Sequence, residues 1–144
     1  MTSLVPIISS YLLSFIYVGI YWNNHHHLFL AAHRINALIL WANLHLLFWL
    51  SLIPFVTGWM GQNNYAALPT AVYGLVLLLA AAAYSLLQRV IIAEQGRDSL
   101  IARAVGRNIK GKLSLLLYFS SIGFAFISTI ISGVCFIAVA LIWF

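Results

Sequence analysis

Between Tyr21 and Phe29 the chain reads YWNNHHHLF. Three consecutive imidazoles behind a tryptophan and two asparagines can bind a metal, relay protons, cap a helix at a membrane surface, or form part of an ion channel. Trp22, His25 and His26 stand at i, i+3 and i+4, which puts them on one face of any helix that continues past Trp22. His27 points elsewhere. Further on, Asn36 and Asn43 are seven apart and share a stripe, while Trp41, His45 and Trp49 form another. Asn43 and His45 differ by two positions, about 200° of rotation, so they cannot serve one site on that helix.

A metal is disfavoured. His25, His26, His33 and His45 have no Asp, Glu or Cys beside them in sequence, and their spacing matches neither a zinc helix motif nor a diiron histidine box. A histidine-ligated metal or haem protein is therefore the third-ranked reading, and no cofactor is expected. The two carboxylates, Glu94 and Asp98, lie in a linker away from most of the histidines, so no acid–base pair is available and the chain does not read as an enzyme. Taken alone, the histidine cluster reads as an interfacial cap in which Trp22 and the imidazoles bridge headgroups and the helix end.

The elements that must position these residues are membrane spans. Of 144 residues, 64% are hydrophobic and 6% charged, with a mean hydropathy of +1.03, too little polar surface to coat a water-soluble globule. The apolar blocks are Leu4 to Trp22, Ile35 to Thr57, Leu68 to Ala93, and a run from Leu113 to Phe144. A span needs roughly 20 apolar residues. The last run is too long for one span and is expected to be a hairpin of two short helices, turning within Ser128 to Gly133. Pro6 and Pro69 fall in first turns, where a missing N–H is harmless, and Pro54 falls in the last turn of its block, where a bend is expected. The fold expected is all-α: one polytopic transmembrane helical domain, residues 1–144, with five spans. The first apolar block lacks a basic leader and a cleavage site, so it is expected to remain in the mature protein. Cys135 sits in an apolar run and reads as a packing residue.

Five of the seven Lys and Arg lie between Arg97 and Lys112, Arg89 leads into them, and Arg34 precedes the second span. The positive-inside rule then places Arg34 and the 94–112 linker in the cytoplasm, with the amino terminus outside and the carboxy terminus inside. This basic balance is a topology signal and does not point to nucleic acid. In the linker, Leu100, Ile101, Ala104, Val105 and Ile109 fall opposite Arg103, Arg107 and Lys110, the pattern of an amphipathic helix lying on the inner leaflet, with Arg97 and Lys112 as further membrane-surface cations. Small residues repeat along two blocks, Ala67, Ala71, Gly74, Ala81 and Ser85 in one and Ser114, Ser121, Ala125, Ser128 and Ser132 in the other, as in helices that pack closely in lipid.

The segments YLLSFIYVGIYWNNHHHLF, INALILWANLHLLFWLSLIPFVTGW and AVYGLVLLLAAAAYSLLQ closely resemble the bacterial branch of the transmembrane protein 175 family of potassium channels. The resemblance rests on Trp22, His25 and His26, followed by Trp41, Asn43, Leu44, Leu52, Pro54 and Phe55, and covers nearly the whole chain. It implies a six-helix subunit in a homotetramer around a central potassium-permeable pore, in a bacterial cell membrane, with potassium as the permeating ion. In that family the first helix lines the pore and bears a Phe-Ser-Asp signature, held in place by a polar network from the following helices. Carried over, Trp22, His25, His26 and Asn43 are that supporting network. No Phe-Ser-Asp triplet occurs in this sequence, the nearest being Phe119-Ser120-Ser121. The five spans are thus expected to equal the family's second to sixth helices, without the pore-lining one. The alternative is a non-conducting membrane scaffold or accessory subunit.

Overall fold

In lipid, backbone groups must be satisfied within the segment, and each apolar block closes its own hydrogen bonds as a helix. The computed structural model describes residues 4–96, 102 and 109–143. Among the described residues five long helices follow one another: α1 (Leu4–Leu30), α2 (Ala37–Gln62), α3 (Ala67–Gln95), α4 (Ile109–Ala125) and α5 (Thr129–Trp143). Three of them, α1 to α3, are long and apolar enough to cross a membrane. The 17 residues of α4 and the 15 of α5 extend roughly 26 and 22 Å, short of a hydrocarbon core of about 30 Å. Most of the basic linker, including Arg97, Arg103 and Arg107, lies outside the described residues.

α1 runs on past Trp22 through all three histidines to Leu30, the continuation on which the shared face of Trp22, His25 and His26 depends. Two local expectations are corrected. First, Pro54 is internal to α2, which continues to Gln62. Second, the α4–α5 turn is Phe126–Ser128, earlier than expected. There Phe124 O accepts from Ser128 N at 2.7 Å, and Ser128 O then accepts the first bond of α5 from Ser132 N at 3.2 Å. Gly133 stays helical.

The helices run alternately up and down. Gly61 of α2 abuts the start of α1 so closely that a Cβ there would lie 2.9 Å from Ser10 Cβ and 3.0 Å from Pro6 O. At the other end, the α1–α2 loop is clasped by the end of α3: His33 N–H donates to Gln95 Oε1 at 3.2 Å, Gln95 Nε2 to Arg34 O at 2.9 Å, and Asn36 Nδ2 to Glu94 Oε2 at 2.8 Å. Asn36 also caps α2 by accepting from Ile39 N at 2.9 Å. Arg34, Arg89, Glu94, Lys110 and Lys112, the described charged residues, all belong to this half of the bundle, so one end is basic and the other uncharged.

At the uncharged end, Asn64 and Tyr65 close α2 with φ of 51° and 57°, the left-handed region that side chains other than glycine resist. Tyr65 is held there because its hydroxyl reaches Pro6 O at 3.2 Å and bonds Ser9 Oγ. Asn64 has no such reward, its side chain being exposed. Asparagine is among the few side chains that visit this region, so Asn64→Gly should change stability by no more than about 0.5 kcal/mol, read from the unfolding midpoint in detergent.

Between α3, α4 and α5 lies a core of Tyr73, Leu77, Tyr118, Phe136 and Val139, joined by Tyr17 of α1. Gly74 lets α4 approach, and Ser132 Oγ donates across the α4–α5 interface to Ser121 O at 3.0 Å. The two small-residue seams thus meet. Tyr73 is fully buried, and its hydroxyl has no hydrogen-bond partner among the described residues. An unmet buried polar group costs about 1–3 kcal/mol, so Tyr73→Phe should raise the unfolding free energy by about 1–2 kcal/mol. An unchanged or lowered unfolding midpoint would mean that the hydroxyl has a partner.

Candidate functional site

Because α1 continues past Trp22, its histidines are helical and their phase is fixed. The face of α1 packed into the bundle carries Ser10, Ser14, Tyr17 and Leu28. His25 lies at the edge of that face, toward α2. Its Nε2 donates to Asn43 Oδ1 at 2.6 Å, and its ring lies 4.6 Å from that of Phe29. Both partners are partly buried, so this bond ties α1 to α2 where little water competes.

Trp22 and His26 are one step further round the helix. They stack on each other with ring centroids 5.4 Å apart and planes 6° from parallel. Trp22 remains 64% exposed, so the stack presents a broad aromatic and imidazole surface to whatever lies outside the bundle. His27 is exposed and touches His26 edge-on at 5.9 Å. The four expected site residues thus form two pairs: one holds α1 to α2, and the other faces outward.

Asn43 and His45 take different directions, as their separation requires. His45 accepts from Trp49 Nε1 at 3.0 Å on the outer side of α2. No group of three or more His, Cys, Asp or Glu that could hold a metal ion occurs among the described residues. Lys110 and Lys112, the described members of the expected membrane-surface set, stand exposed at the basic end.

Sequence reasoning missed a second polar set on the inward face. Tyr84 donates to Asn24 O at 3.2 Å, and Trp143 Nε1 donates to Ser114 Oγ at 2.7 Å. The signal was available in Tyr17, Tyr21, Asn24 and Leu28, spaced i, i+4, i+7 and i+11, a buried stripe in phase with the histidines.

An outer groove of about 310 Å³ runs between the uncharged halves of α1 and α2, floored by Ser10, Ser14, Thr57 and Gly58 and edged by Pro54. Its small residues leave backbone accessible to a further helix.

Comparison with known proteins bears on this region. The family model for the endosomal/lysosomal potassium channel TMEM175 matches residues 1–54, the stretch that contains Trp22, His25, His26 and Asn43. A protein named as a potassium channel in Chryseobacterium sp. strain P1-3 is 46% identical over 140 residues, covering 97% of this chain and 73% of the relative. A second, named as a potassium channel in Streptomyces collinus, is 28% identical over 132 residues, covering 85% of this chain and 63% of that protein. No solved structure matches.

Proposed function

The chain belongs to the TMEM175 family of potassium channels, and from that premise we propose that its helices hold a pore-lining helix in a homo-oligomer that conducts potassium passively. Family membership and its apolar helices make it an integral membrane protein of a potassium channel family. The observation that carries the proposal is the arrangement of the two pairs in the matched stretch. His25–Asn43 fixes the angle between α1 and α2, and the exposed Trp22–His26 stack offers the adjoining surface. A pore helix seated in the Ser10–Gly58 groove and against that stack would be supported along its length. The assembly proposed is a tetramer, with all five helices spanning, α4 and α5 as short spans, and the basic end in the cytoplasm of a bacterial cell. The charges gathered in one half of the bundle support that orientation.

A second reading is a non-conducting scaffold or accessory subunit. Potassium efflux from liposomes separates the two. The chain is reconstituted alone and, in parallel, with a helix bearing the Phe-Ser-Asp signature joined ahead of it. The channel reading expects potassium flux from the joined protein. Absence of flux in both preparations would leave the scaffold reading.

A further inference from the structure

Asn43 faces α1, where His25 meets it, and two residues on, about 200° further round α2, His45 is exposed on the flank away from α1. α1 repeats this in mirror image. His25 faces α2, and Asn23, two residues before it, is exposed on the flank away from α2. The layer made by α1 and α2 thus carries a polar side chain on each of its two outer edges.

The two edges are level. α1 and α2 run antiparallel, so two residues from the His25–Asn43 bond carry Asn23 and His45 about 3 Å the same way, off from the basic end. His45 is then roughly 7 Å from the middle of α2 and Asn23 roughly 9 Å from the middle of α1, inside a hydrocarbon half-thickness of about 15 Å. Each brings an unmet group to that depth. The indole of Trp49 can only donate, and it donates to His45 Nε2, which fixes the imidazole proton on Nδ1 as a second donor. Among the described residues that Nδ1–H meets no acceptor, and the Asn23 amide makes no hydrogen bond. Lipid chains answer neither group, so something else must.

A two-fold pairing of α2 edges would set His45 against its own copy, donor against donor. The α1 edge is the complement instead. Its row His27, Asn23, Gly19 lies level, in that order, with the row Trp41, His45, Trp49 on α2, both at intervals of four. A Cβ on Gly19 would meet nothing within 4 Å, which leaves room for the indole of Trp49. His27 and Trp41 are exposed, an imidazole opposite an indole, the two rings that already stack at His26 and Trp22.

We propose that the α2 edge of one copy packs on the α1 edge of the next, with His45 Nδ1–H donating to Oδ1 of Asn23 of the partner subunit. Because the two edges differ, the contact is heterologous and, in one membrane plane, closes as a ring. It deepens the homo-oligomer of the proposed function and rests on it. The groove between α1 and α2 lies between the two edges and stays open to a pore helix.

Disulfide trapping between copies is the test. In a Cys135→Ser background, a chain with Asn23→Cys and a differently tagged chain with His45→Cys are reconstituted together in liposomes and oxidised. A mixed cross-linked pair is expected, with little product from either chain alone. His45→Ala and Asn23→Ala should each weaken association about three-fold, as loss of an average interhelical hydrogen bond in lipid would, and the two together no further. Native mass spectrometry of the unmutated protein reports the oligomer without any variant having to fold. An oligomer whose chains give no mixed pair would overturn the edge contact and leave the homo-oligomer standing, whereas a monomer would overturn both. Two alanine effects that multiply would show that His45 and Asn23 do not touch, and would overturn the bond between them.

Discussion

Gly74→Val is expected to cost about 3 kcal/mol of stability, at the upper end for overpacking a closely packed core. A Cβ at this position would lie 3.1 Å from Ser121 Oγ, 3.2 Å from Ile122 Cγ1 and 3.3 Å from Phe136 Cζ. None of these can retreat freely. Ser121 Oγ donates to Tyr118 O at 2.7 Å, and Ser121 O in turn receives Ser132. Phe136 packs edge-on against Tyr73 at 4.9 Å, and its carbonyl accepts the hydroxyl of Tyr17. Valine adds two γ-carbons beyond that Cβ, so α4 and α5 must move away from α3. In lipid this matters more than in water, because close van der Waals approach is a main source of helix association. Gly123→Val, in the same helix bundle, has nothing within 4 Å and should change stability by no more than about 0.5 kcal/mol. Unfolding of the two variants in detergent, side by side, makes the check. Equal midpoints would mean that the α3–α4–α5 contact is not as close as described.

The same seam shows what could be read from the sequence. The small residues Gly74, Ser121 and Ser132 stand at intervals that announce close packing, and the structure joins them. The apolar runs likewise announce five helices. Their ends were less legible, because hydropathy marks where polar side chains begin, and a helix continues as long as its backbone bonds do. α1 goes on past Trp22 since His25 finds Asn43 and Asn24 finds Ile20 O, so its polar end is satisfied without a turn. The α4–α5 turn is the opposite case: Gly133 reads as a breaker in the sequence, but a glycine with open space around it is tolerated in a helix. Helical phase correctly separated Asn43 from His45, yet phase alone names a face and not a neighbour. It could not foresee that His25 would turn to α2 while Trp22 and His26 stacked outward. The inward aromatic set was least visible, since a tyrosine inside an apolar run adds to the run, and only the fold shows Tyr21, Tyr84 and Trp143 meeting.

Removal of the two site pairs should have different consequences, and the difference tests what each pair does. His25→Ala and Asn43→Ala each break the 2.6 Å bond between α1 and α2. Interhelical hydrogen bonds in membranes are worth about 0.6 kcal/mol on average and up to about 1.7, and a double-mutant cycle should return a coupling in that range. Trp22→Ala removes a side chain that is 64% exposed and stacked only on its own helix, so stability should hold within about 0.5 kcal/mol. Potassium flux should behave otherwise. In the protein joined to a Phe-Ser-Asp helix, all three substitutions are expected to reduce flux at least ten-fold, because a 1.4 kcal/mol loss in seating the pore helix is enough to produce that factor. A residue with almost no effect on folding but a large effect on flux is acting on something outside the bundle, which under the proposed function is the pore helix. If Trp22→Ala conducts normally, the Trp22–His26 stack is an interfacial anchor, and the support for the pore helix must come from the Ser10–Gly58 groove.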